Sequence, residues 1–217
     1  MFKQYSNALA SVSALLVKAI ENISLNNSKK ELEKAKEELR EEISDVRDSI
    51  GEIGGVIDGT FQDNVLDEVE RRDIQQNLDN LTREKIDIDN TYNSMYSSEH
   101  LNEEDKSNFK LAYDEYIDAF NLVVSVSTNI LNKESLIDNV DRANLNSAIA
   151  RHIEKLNAFY VIANTTMDLI ALNKSNKLKS ELEKEISEVD KRVDDALKDI
   201  SGAVGDGIID QAEALII

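Results

Sequence analysis

Apolar residues recur along this chain at steps of four and three, and that spacing predicts nearly every element. Near the start, Tyr5, Leu9, Val12, Leu16, Ala19 and Ile23 keep the rhythm. Ser11, Ser13 and Lys18 interrupt the run, so it reads as a helical seam rather than the continuous apolar core of a signal peptide. A second stripe follows at Ala35, Leu39, Ile43, Val46, Ile50, Ile53 and Ile57. Next come Ile74, Leu78, Leu81, Ile88, Tyr92 and Met95, with Lys85 in the missing position. Phe109, Tyr113, Tyr116, Phe120, Val123 and Ile130 form another stripe, interrupted only by Ser127. The last of this group is Leu145, Ile149, His152, Leu156, Phe159, Ala163 and Ile170. A period between 3.5 and 3.6 is that of an amphipathic helix, because such residues line one face of the cylinder.

The stretches "SSEHLNEED" (97–105) and "NKESLIDN" (132–139) are polar and short, as helix-to-helix turns are. An up-down-up bundle of three helices over 62–172 is therefore predicted, in an all-α chain. Before it, 1–61 reads as an N-terminal coiled-coil segment. After it the helical pattern continues, weakened only at "LNKSNK" (172–177), through Leu178, Leu182, Ile186, Val189, Val193, Ala196 and Ile200. That makes 173–204 a coiled-coil linker helix, and the whole an elongated molecule.

The two flanking stripes share the steps 4, 4, 3, 4, 3, 4 because they are copies. Residues 34–74 lie on 177–217 without a gap, at an offset of 143, and 14 of the 41 pairs are identical. The matches include Ser44/Ser187, Gly59/Gly202, Asp63/Asp206, Asp67/Asp210 and Glu70/Glu213, which helical composition alone does not explain. The expectation is a tandem repeat, with 205–217 as the start of the next bundle. Asp67 with Glu70, and Asp210 with Glu213, have the N-cap and N3 spacing of a capping box. A calcium loop is the sharper reading of "GDGIIDQAE", but its acids do not alternate as an EF-hand requires, and the first copy has Asn64 in place of Gly207.

A stripe this narrow on a long polar helix needs other helices to bury it. Leu39, Ile43, Val46, Ile50, Ile53 and Ile57, and in the second copy Leu182, Ile186, Val189, Val193 and Ile200, are therefore expected to form an oligomer seam. Isoleucine and valine throughout the core positions favour three or more strands, hence a homotrimer.

Composition sharpens this picture. There is no proline and only seven glycines, so helix interiors are protected from breaks. The net charge of −18 opposes binding to nucleic acid and to anionic membrane surfaces, both of which need cationic footprints. No stretch is apolar over the ~20 residues that span a bilayer. Without cysteine there is no disulfide frame and no thiolate zinc site. His152 falls on a core register and His100 in a turn, and neither has the companion ligands of a metal site. The chain contains no Gly-rich phosphate loop, no HExxH and no nucleophile with its base. The expectation is no enzyme, no metal and no cofactor, with the aromatic residues serving the core.

The "DG-x-I-x-x-A-E" run (Asp206, Gly207, Ile209, Ala212, Glu213), "LDNLTREKIDIDNTYNSMY" (78–96) and "FKLAYDEYIDAFNLVVSVSTNIL" (109–131) together resemble helical repeats. Such repeats occur in minor structural, tail-tip and tail-fibre proteins of phages of Gram-positive bacteria. The resemblance covers roughly 63–217 and implies a virion tail location, homotrimeric assembly and contact with other tail proteins. It also implies a spacer role between a tail-attached end and a host-binding end. The alternative class is a helical spacer in a bacterial surface adhesin.

Overall fold

The computed structural model describes the backbone of residues 2–59, 65–133 and 136–205. Within those ranges it describes side chains at Leu15, Lys18 and Asn22 and from Asn26 to Lys198. The described residues are helical apart from short connections, with no strand among them, so the chain is all-α. Four helices follow one another: α1 (Phe2–Gly59), α2 (Glu68–Tyr96), α3 (Glu103–Leu131) and α4 (Asn139–Gly205).

Each start has a local cause. Asp67 takes an extended conformation before α2 and accepts hydrogen bonds from the amides of Val69 (2.7 Å) and Glu70 (2.8 Å). Glu70 closes the capping box by accepting from the Asp67 amide at 2.9 Å. Asn102 caps α3 by accepting from the Asp105 amide, and Glu103, Glu104 and Asp105 place negative charge at the positive end of its dipole. At α4, Asp138 accepts from the amides of Val140 and Asp141, and the Asp141 carboxylate returns the bond to the Asp138 amide.

The chain divides into two compact units, one of residues 30–173 and the other of 1–29 with 174–217. In the first, the inner halves of α1 and α4 join α2 and α3 around a single core. Cross-helix contacts fix the directions. Lys36 pairs with Asp168 at 2.6 Å, Arg47 with Asn157, and Gly54 approaches Ile149, so α1 and α4 run antiparallel. Thr91 donates to Glu42 on the other side of α1, while Tyr113 donates to Asp89 (2.6 Å) between α2 and α3. Lys155 reaches Glu115 at 3.0 Å between α3 and α4. Each helix thus has two antiparallel neighbours, and the arrangement closes on itself.

This architecture corrects the predicted partition. Leu39, Ile43, Val46, Ile50, Ile53 and Ile57, expected as an oligomer seam, are 0–2% exposed and belong to the same core as Ile74, Leu81, Phe109, Tyr116, Leu156 and Phe159. Their cover comes from their own chain. The compact unit begins at Lys30, so it takes in much of the expected 1–61 coiled segment, and four helical segments fill the core where three were expected over 62–172. The cause is that apolar burial has no direction. A 4-3 stripe records that a helix must be covered but not whether the covering helix comes from the same chain.

The second unit contains two helical runs, 2–29 and 174–205. Here the stripe on α4 is only partly covered: Leu178 is 41% and Val189 49% exposed, with Leu182, Ile186 and Val193 of intermediate burial. The Ile200 side chain, and Asp210 and Glu213, lie outside the described residues.

Candidate functional site

The 30–173 unit is held at one end by polar contacts that the sequence reading did not single out. Arg71, in the first turn of α2, donates through Nε to the Leu66 carbonyl (3.2 Å) and through Nη1 to that of Leu131. Its Nη2 reaches the Lys133 carbonyl at 2.8 Å. The carbonyls at the C-terminal end of α3 lack helical partners, and a guanidinium presents donors in the fork that can meet them. Lys133 in turn bonds Asp141 and lies 3.7 Å from Asp138. The amides of Asp141 and Val140 hold the Asp138 carboxyl below its ordinary range, and Lys133 adds to this. The chain signal for this end is "DNVD" (138–141), a cap with aspartate rather than glutamate at N3. At the opposite end, the Asn173 side chain donates to the His100 carbonyl (2.8 Å), tying α4 to the α2–α3 turn.

Aromatic residues of α2, α3 and α4 meet in the core. Tyr92 stacks on Tyr113 with centroids 3.7 Å apart, and Phe109, Tyr116 and Phe159 lie within 5.7 Å of one another in two pairs. Lys85, which interrupts the α2 stripe, forms an ion pair with Asp89 at 2.5 Å and lies 5.7 Å from the Phe120 ring. Burial pushes the Tyr113 hydroxyl well above its usual range, and its hydrogen bond to Asp89 pushes the same way, so it stays a donor. Burial also raises Tyr116, and raises the Glu42 carboxyl beside Thr91.

His152 is fully buried, edge-on to Tyr116 at 5.4 Å and near Phe120. It lies on the core register that its spacing predicted; neither ring nitrogen has a hydrogen-bond partner in the protein, and burial lowers its pKa to about 4. The ring is neutral at physiological pH and acts as a core aromatic.

Among the described residues no group of three or more His, Cys, Asp or Glu side chains is placed to hold a metal, and no helix is long and apolar enough to cross a membrane. An open groove between α1 and α2 is lined by Glu52, Gly55, Val56, Asp73, Gln76 and Asn77, two carboxylates and no cation. The feature with the clearest unmet physical demand is therefore the apolar stripe of α4 at 178–193. Val46 and Val189 are the same residue at matched positions, yet one is 0% and the other 49% exposed. Comparison of the chain with models of known families, with curated proteins and with solved structures finds no match.

Proposed function

We propose that the chain is a non-enzymatic structural stalk or spacer of a phage tail, part of a tail fibre or tail-tip protein, linking tail-attached and host-binding parts. One observation carries the reading. α4 leaves the 30–173 core without a break and goes on to Gly205, presenting there a second copy of the stripe that α1 buries. A chain that repeats its core-forming helix and leaves the copy half covered is suited to assembly. The resemblance of 63–217 to helical repeats of tail proteins supplies the setting. Its partners on this reading are two other copies of itself, in the homotrimer that the tail-fibre resemblance implies, and neighbouring tail proteins in the virion. It takes no cofactor, and the net charge of −18 keeps it off nucleic acid and anionic membranes.

The test is immunogold electron microscopy with antibodies against the purified chain, applied to cells and released particles of the strain that carries the gene. Label along particle tails is expected. Label on the cell wall alone would replace the stalk by an adhesin spacer, and label confined to the cell interior would remove both.

A further inference from the structure

We propose that the groove between α1 and α2 binds an organic cation through a primary ammonium group, a site independent of the stalk reading. The groove holds about 500 Å³, within the range of small-ligand sites, and lies in the 30–173 unit. Glu52 stands on its α1 wall and Asp73 on its α2 wall, and neither carboxylate has an ion-pair partner among the described residues. Acceptors for an ammonium thus line both sides, and no cation of the lining serves them.

Exposed carboxylates alone are satisfied by water, but Asn77 is not so placed. It is 8% exposed, lines the same groove, and its side chain has no hydrogen-bond partner among the described residues. A buried amide without a partner is costly, and a donor entering the groove would satisfy its carbonyl. Gly55 leaves the space for one. A Cβ there would meet nothing within 4 Å, so no close packing calls for glycine inside α1, where alanine would suit the helix better.

The chain itself points to the chemistry of the ligand. At the offset of 143, Glu52 stands on Asp195 and Gly55 on Lys198. On α4 the Lys198 ammonium lies 3.6 Å from the Asp195 carboxylate, one helical turn away. On α1 the carboxylate is kept, and a glycine beside an open groove replaces the lysine. An ammonium from outside the chain takes the position that Lys198 fills on α4. Its donors can be met by Glu52, Asp73 and Asn77. Such a group comes from a free polyamine or from a lysine side chain of a partner.

Nuclear magnetic resonance titration of the intact chain tests this, in about 0.15 M salt to screen the general attraction of a net charge of −18. The probes are spermidine and a blocked Gly-Lys-Gly peptide, and the tighter of the two names the source. Saturable shifts are expected at the Asn77 side-chain amide and at the backbone amides of Glu52 and Gly55. The same peptide acetylated on its lysine should give none. Asn77→Leu and Gly55→Leu leave the net charge unchanged, the first removing an acceptor and the second filling the groove. Each should weaken binding by on the order of tenfold or more, with helical circular dichroism retained. Gly55→Lys, which sets at 55 the residue found at 198, should close the site to either probe. Shifts that never saturate, or that spread evenly over the acidic faces of all four helices, would overturn the proposal. So would binding that both leucine variants leave undiminished.

Discussion

At the scale of single residues, the groups that matter close helix ends or sit buried without charge. Asp67 satisfies two amides at the start of α2, and Asp67→Ala should cost about 0.5–2 kcal/mol in chemical denaturation. Arg71 serves three carbonyls, two of them at the end of α3, and leaves those acceptors unmet when truncated. Arg71→Ala should cost about 1.5–3 kcal/mol, measured the same way. His152 sets a pH dependence whose sign follows from its burial. In the unfolded chain the ring takes its proton near 6.5, but in the folded core only near 4. Between those values the unfolded state binds the extra proton, so stability is fully present above 6.5 and is lost as pH falls towards 4. The loss amounts to about 3 kcal/mol. Glu42 and Glu84, whose carboxyls are raised by burial, titrate with the opposite sign. The informative quantity is thus the difference between the wild-type and His152→Leu stability curves, which should grow in that window. Parallel curves would contradict a neutral buried ring.

At the scale of elements, α1 is the informative case. Its inner half is a helix of the core, so Ile50→Asp with Val46→Asp should unfold the 30–173 unit, seen as loss of helical circular dichroism. The corresponding pair on α4, Val189 (49% exposed) and Val193 (of intermediate burial), are less completely covered and should tolerate aspartate without that loss. The glycines of α1 separate propensity from packing. A Cβ at Gly51 would meet nothing within 4 Å, so Gly51→Ala should stabilise by about 0.5–1 kcal/mol. At Gly54 the added atom would stand 3.4 Å from the Ile149 Cδ1, where α1 and α4 approach closely, and the gain should be smaller. Melting temperatures of the two variants, compared with wild type, check the order.

At the scale of the whole molecule, the two units have different cover and should differ in protection. In native-state hydrogen exchange, amides of the sealed stripes around Ile43–Ile57, Leu81–Tyr92, Tyr116–Val123 and Leu156–Ala163 should be the slowest. Those at 178–197, whose stripe is less completely covered, should exchange faster. Uniform protection along α4 would mean that its two halves belong to one core. Circular dichroism of the chain should be dominated by helix.

The all-α class was legible in the letters, because a 4-3 apolar rhythm with no proline admits no other regular structure. So were the turns near 97–105 and 132–139, and the cap at Asp67, since each depends on neighbours within four residues. The Asp138–Asp141 cap was missed because its N3 residue is an aspartate, and the Arg71 contacts because their acceptors lie about sixty positions away. Which helix covers which stripe was decided by the tertiary structure alone. Leu39–Ile57 and Leu182–Val193 carry nearly the same pattern and made the same demand on the sequence reading. One is sealed by its own chain and the other is not, because burial depends on the helices that come to lie beside a stripe.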